Sequence, residues 1–371
     1  MKKQAEGRKY LLLLLFPLAI LINYLSSKQI QVTEESYSQG AYIAIAPILS
    51  RITGLYPYSL AEIVTVLLFA VLIWRLVAFF RSLAGKQHGK LALLRYKLIH
   101  LVVIIGIIYF SFIIMWGLNY NRSSIATITG LEVRPASVAE LAQLTNSLIQ
   151  EVNQLRILTE EDNSGVMHTP GGYKDVLRRG PLGYEVIAAE IPQLGGSYGA
   201  PKPVTLSKPW AYTGIWGVYF PFTAEANINI AIPAPYLPFT TAHEMAHQRG
   251  FAREDETNYI AYLVCRAHPD VDYRYSGNLM ALVHSLRALA QVDSSLQREL
   301  AGKLTKGVRR DLQSLEEFNR RHESPFERFT LKVNDLYLKA NNQKDGDRSY
   351  GRVVDLLIAE FRTQLKKGEG M

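Results

Sequence analysis

A single cysteine, Cys265, in a chain of 371 residues excludes an internal disulfide framework, and its apolar helical surroundings mark it as a small buried hydrophobe. The net charge of +8 is equally uninformative about an acidic partner, because it is not spread over the chain. Residues 1 to 118 hold 12 of the 41 Lys and Arg but only 4 of the 33 acids, which leaves 29 of each and a formally neutral remainder. No nucleic-acid partner is expected from that balance. Gly195, Gly196 and Gly199 form a GGxxG stretch that lacks the lysine and the strand-to-helix context of a phosphate cradle, so it reads as a turn.

What the chain has in excess is apolar length. Three runs, about residues 10–25, 59–80 and 98–118, are candidate transmembrane helices. The first is short and follows Lys2, Lys3, Arg8 and Lys9; its weak small-residue site near Ser26 favours an uncleaved anchor over a removed signal peptide. The other two are apolar all round instead of striped, which argues against core helices. Basic residues set the expected orientation. The tail and the loop with Arg81, Lys86, Lys90, Arg95 and Lys97 belong in the cytoplasm, and everything after Asn119 belongs outside. The expected organisation is therefore a membrane region, 1–118, and an extracytoplasmic domain, 119–371. Ser36 to Ile52, rich in Ala, Ile, Tyr and Leu, either lies along the membrane or packs under that domain.

The residues that read as a reaction centre lie in PFTTAHEMAHQRGFAREDETNYIAY, Pro238 to Tyr262. His243 and His247 are four apart, so on a helix both imidazoles leave one face and can bind one Zn²⁺. Glu244 between them is placed to activate a water, as in the HExxH pattern of zinc peptidases. Pro238 suits the first turn of such a helix and Gly250 its end. A catalytic zinc needs a third protein ligand. Glu254, Asp255 and Glu256 open what reads as a second helix, Asp255 to Ala267, and are the candidates.

Several stretches carry a family resemblance: WGLNYNR (Trp116 to Arg122), GIWGVYFPFTAEANINIA (Gly214 to Ala231), HEMAHQRGFAREDETNYIAYL (His243 to Leu263) and SYGRVVDLL (Ser349 to Leu357). Together they resemble the bacterial family catalogued as domain of unknown function 3810, which implies a membrane-anchored, zincin-like protein with no assigned substrate. The stretch Glu254 to Asn258 is similar to the Glu-x-x-x-Asp/Asn signature of gluzincin peptidases, which favours Glu254 as third ligand with His243 and His247. Arg253 stands where metzincins carry their third histidine, so that resemblance fails. The family implies a multi-pass protein of a bacterial cell membrane, with the lipid bilayer as one partner.

The rest of the outer domain reads as mostly helical α+β scaffold. Asn119 to Pro135 is a linker. Ser137 and Glu140 make a capping box ahead of a stripe at Leu141, Leu144, Leu148, Val152 and Leu155. Tyr173 to Glu190 is helical, with a possible break at Gly180-Pro181. Strands are expected at Val204 to Ser207, Ile215 to Phe220 and Asn227 to Ile232. The last alternates polar and apolar, as a half-buried strand does, and is either a substrate-binding edge or an interior strand. Glu225 is a candidate partner for a metal-bound histidine or a salt-bridging group, and His168 is more ordinarily solvated than a ligand. Helices follow over Gly277 to Val292, Gln297 to Arg321, Pro325 to Ala340 and Tyr350 to Leu365. Tyr219, Arg253, Tyr259 and His284 are candidate oxyanion donors.

The expected function is a zinc-dependent hydrolase, a metallo-endopeptidase with a peptide or protein substrate, in which Glu244 is the base and His243, His247 and Glu254 hold Zn²⁺. The alternatives are a zinc hydrolase of cell-wall amides and a non-catalytic envelope protein with a structural metal site.

Overall fold

The computed structural model describes residues 11–84, 90–340 and 352–369. The basic tail residues Lys2, Lys3, Arg8 and Lys9, together with Lys86 and Tyr350, lie outside them. The chain is mostly helical, with two small sheets.

Three apolar helices come first: α1 (Leu15–Lys28), α3 (Leu60–Ala84) and α4 (Lys90–Met115), with α2 (Tyr42–Gly54) between the first two. Among the described residues, α3 and α4 each contain a 22-residue apolar stretch long enough to cross a membrane, Leu60–Arg81 and Leu94–Met115. At 1.5 Å per residue each spans about 33 Å. Helix α1 is shorter, and Phe16 on it meets Tyr109 on α4 with ring centroids 5.3 Å apart.

Residues 33–54 do not lie apart from the body. A π-helical segment, Thr33–Ala41, runs into α2, whose Tyr42 hydroxyl donates to the Gln248 carbonyl at 2.9 Å and whose Ser50 hydroxyl accepts from Gln248 Nε2 at 2.8 Å. Ser50 also explains Gly199: a Cβ there would lie 2.2 Å from the Ser50 carbonyl oxygen. Two sequence expectations need correction just beyond α4. The apolar helix ends at Met115 instead of Leu118, and Asn119 to Arg122, the start of the expected linker, is buried core. Arg122 lies under the Phe251 ring and donates to Glu34 at 2.8 Å, which pins the chain as it leaves α4.

In the body, the Ser137–Glu140 capping box opens α5 (Val138–Ile157), and its five expected stripe residues are all buried. Helix α6 (Gly172–Ile187) runs unbroken through Gly180-Pro181. The glycine is there for packing: a Cβ on Gly180 would stand 3.0 Å from Met245 and from Thr241. Helix α6 packs on α7 (Leu237–Gln248) and α8 (Glu254–Ala267), and α8 packs on α9 (Val271–Val292), which also lies along α5. The expected helix Gln297 to Arg321 is two helices, α10 (Ser294–Ala301) and α11 (Lys306–His322), separated at Gly302. Next come α12 (Pro325–Ala340) and α13 (Val353–Glu369). Ser324 caps α12 by accepting from Glu327 N at 3.0 Å.

A two-residue hairpin, β1 (Glu160–Glu161) with β2 (Met167–His168), is separate from the main sheet, in which the order is β3 (Lys202–Pro203), β5 (Glu225–Ile228), β4 (Gly217–Phe220). Strand β5 is parallel to β3 and antiparallel to β4. All three strands differ from their expected ranges, and Val204 to Ser207 turns into a short helix. The alternation at Asn227 and Asn229 is misleading because both asparagines are buried. Asn227 Nδ2 donates to the Val218 and Glu225 carbonyls and Asn229 Nδ2 to Ile215 O, so they satisfy backbone groups instead of facing water. Strand β5 is therefore interior, which overturns the substrate-edge reading for it; β4 is the outer strand on that side.

Candidate metal centre

Helix α7 carries the HExxH residues, and its two ends are locally encoded. Pro238 lies in the first turn. At the other end Gly250 takes φ 80°, with Gly250 N on His247 O at 2.9 Å and Phe251 N on Ala246 O at 3.2 Å. That pair of bonds is a Schellman cap, which needs the left-handed residue that glycine supplies. The turn also delivers the Phe251 carbonyl to His247 Nδ1 at 2.8 Å.

Three residues of acidic sequence then start α8, where carboxylates favour the positive helix end. Glu254 is the one turned toward the histidines. Its carboxylate oxygens lie 3.2 Å from His243 Nε2 and 3.6 Å from His247 Nε2. Asn258, one turn on and on the same face of α8, places Oδ1 3.0 Å from His243 Nδ1. Asp255 and Glu256 point elsewhere; Glu256 pairs with Arg253 at 2.8 Å and accepts from Ile125 N at 3.2 Å.

The donor set fits a zinc ion. Both Nδ1 atoms face oxygen acceptors, so in the neutral rings the proton belongs on Nδ1, and both Nε2 atoms, turned toward Glu254, are the ones that would bind a cation. One ligand atom from each of His243, His247 and Glu254 lies within 4.8 Å of the others. Zinc–ligand bonds of about 2.0–2.1 Å in a tetrahedron put neighbouring ligand atoms roughly 3.4 Å apart, close to the two separations found here.

Electrostatics follow from the same closeness. Burial alone would lower His247, but Glu254 overcomes it and pushes the imidazole up to about 9. Burial alone would raise Glu254, yet the two histidines hold it well below the carboxylate range. Glu244 behaves oppositely: burial raises it, and the histidines offset only part of that. It is 4% exposed, and its Oε2 has no hydrogen-bond partner among the described residues. Strand β4 makes room for it. A Cβ on Gly217 would lie 2.5 Å from Glu244 Cγ, so a side chain at 217 displaces the carboxyl.

Of the candidate oxyanion donors, Tyr219 shares a 3.1 Å hydroxyl contact with Tyr42, and Arg253 is engaged with Glu256 and the Arg122 carbonyl. Tyr259 neighbours Glu360 and Arg266 instead of the histidines. His284 on α9 keeps a buried Nε2 with no partner among the described residues; burial, then the charges of Arg287 and His243, lower it to about 4. Glu225 is not beside a histidine. It accepts from Leu60 N at 3.3 Å and Ala61 N at 2.8 Å and pairs with Lys202 at 3.2 Å, so it caps the first turn of α3. His168 is exposed on β2.

Sequence reasoning gave no role to Asn258, Gly217, the Phe251 carbonyl or Trp116, whose indole donates to His247 O at 3.2 Å and stands edge-on to its ring. The usable signal was Glu254 to Asn258, whose i, i+4 spacing places Asn258 beside Glu254 on the helix.

The fold and site define a mostly helical protein with small sheets, two helices apolar enough to cross a membrane, and a His–His–Glu cluster at the junction of α7 and α8. Residues 37–358 match the model of the family described as protein of unknown function (DUF3810), and the chain belongs to that family. No curated protein and no solved structure matches it.

Proposed function

We propose that this chain is a membrane-anchored, zincin-like zinc hydrolase, a metallo-endopeptidase acting at the outer face of a bacterial membrane. The observation that carries this reading is the convergence of His243 Nε2, His247 Nε2 and the Glu254 carboxylate while both Nδ1 atoms face Asn258 and the Phe251 carbonyl. Zinc bound there would supply a Lewis acid and a water made nucleophilic near neutral pH. Glu244 would take up a proton from the attacking water and pass it to the leaving amine. Glu244 is buried on α7 between the two histidines, and a merely structural metal site has no need of a general base there. That favours a catalytic centre over a structural one.

The three apolar helices are read as spans, with α1 as an anchor, the tail and the Arg81 loop in the cytoplasm, and the metal centre outside. The test of the centre is zinc content after exhaustive dialysis. Wild type and Glu256→Ala retain about one zinc per chain, and His243→Ala and Glu254→Ala lose it. A wild-type chain that holds no zinc even after refilling overturns the reading.

A further inference from the structure

Helix α12 carries an apolar face that the rest of the described chain leaves open. Phe326, Phe329, Val333 and Leu336 are 57%, 60%, 47% and 67% exposed, and their spacing of three and four residues puts them in one stripe. Arg328 and Lys332 are exposed beside it. The helix is held to the body at its N-terminal turn: Ser324 Oγ donates to the Tyr212 carbonyl at 2.8 Å, and Glu327 lies against Gly214.

That attachment point is a short length of chain away from the start of α3. Glu62, in the first turn of α3, accepts from Thr205 N at 2.8 Å and Leu206 N at 2.7 Å. From Leu206 to Tyr212 is six residues, roughly 20 Å at full stretch and less here because five of them form a helical turn. Exposed apolar side chains continue across this junction: Leu55, Tyr56 and Tyr58 just before α3, then Leu206 and Tyr212. Tyrosine at the outer end of a span is the residue expected at headgroup depth. The stripe of α12 is thus tied, through Tyr212, to a run of exposed apolar residues that Glu62 bonds to the first turn of α3.

We infer that α12 is an interfacial helix that lays Phe326, Phe329, Val333 and Leu336 into the outer leaflet beside α3. The inference rests on the reading of α3 as a span. An amphipathic helix of this kind buries aromatic and aliphatic side chains at the boundary of headgroups and acyl chains while basic residues stay at headgroup level, the places taken here by the stripe and by Arg328 and Lys332. The consequence for the proposed enzyme is a catalytic domain tied to the bilayer at a second place, with Gly214 and the strand β4 that follows it held close to the lipid surface.

The test uses the full chain in phosphatidylcholine vesicles, some of whose lipids carry a nitroxide quencher, shallow in one preparation for positions 328, 329 and 333 and deep on the acyl chain in another for position 68. Because Cys265 is fully buried, a cysteine introduced at the surface can be labelled selectively with an environment-sensitive fluorophore. Phe329→Cys and Val333→Cys report the stripe, Arg328→Cys the flank, and Leu68→Cys the middle of α3. The expected result is blue-shifted, lipid-quenched emission at 329, 333 and 68, with weaker quenching at 328. Unquenched emission at 329 and 333 with quenching at 68 overturns the inference and leaves the span standing. Loss of quenching at 68 removes the span, and the inference with it. Blue-shifted emission at 329 that responds to a quencher on another copy of the chain, and not to lipid, assigns the stripe to self-association and overturns the inference.

Discussion

Asn258 shows how much of the proposed centre depends on a group that touches no ion. Its carboxamide oxygen fixes which nitrogen of His243 carries the proton and so aims Nε2 at Glu254. Asn258→Ala is expected to weaken zinc binding by about 10–100-fold with the helix content intact, as read by competitive titration against a chelator. Glu244→Gln is expected to keep zinc and abolish hydrolysis of any peptide that wild type cleaves from a mixed library, since the amide cannot take up a proton from the attacking water. Retained hydrolysis in that variant contradicts the account of Glu244. Gly217→Ala is expected to impair hydrolysis while zinc content stays at the wild-type level, because the added Cβ falls on the Glu244 side chain.

At the scale of the helix or strand, what was legible in the sequence is what is encoded locally. The capping box at Ser137 and Glu140, the stripe of α5, the proline-started and glycine-ended α7 and the acidic start of α8 each involve residues within a turn or two of one another. What failed depended on distant partners. Glu225 finds its function 165 residues away on the first turn of α3, a contact no spacing rule reveals. Gly180 looked like a break and Gly199 like part of a turn, but at both another element comes too close for a side chain. The same logic gives a pH prediction. Glu140 receives Arg362 from α13 at 2.7 Å, and Arg362 and then the Ser137 backbone lower its carboxyl to about 2 from a usual 4.5. A depressed carboxylate stabilises the fold fully above its unfolded value and loses that contribution as pH falls through the folded one. The packing of α13 on α5 should therefore weaken between pH 4.5 and about 2 in wild type, and Glu140→Gln should flatten that dependence in denaturant melts.

For the whole molecule, the division at residue 118 separates compositions and not packing. Arg122, buried and bonded to Glu34, joins the exit of α4 to the segment before α2, and Tyr42 and Ser50 join α2 to Gln248 on the helix of the proposed centre. Removing one partner of a buried pair leaves an uncompensated charge and typically costs about 3–5 kcal/mol, so Glu34→Ala should destabilise the detergent-solubilised protein by that order. A chain beginning at Asn119 should fail to give a monomeric peak on size exclusion, because it lacks the surface that covers α7. A soluble, zinc-binding monomer from that truncation would show the outer domain to be autonomous after all.

The first turn of α3 is bonded in both directions. It hands two backbone protons to Glu225, and through Glu62 it accepts two from Thr205 and Leu206. Each residue added to or removed from a helix turns what lies beyond it by about 100°. An insertion after Leu60 would therefore swing Glu62 away from the amides it serves while Glu225 still held the end. The first turn of the helix therefore has one permitted azimuth, while the span beyond it is exposed on every side. Substitutions should then matter most in the turn that holds Ala61 and Glu62 and little along the exposed span.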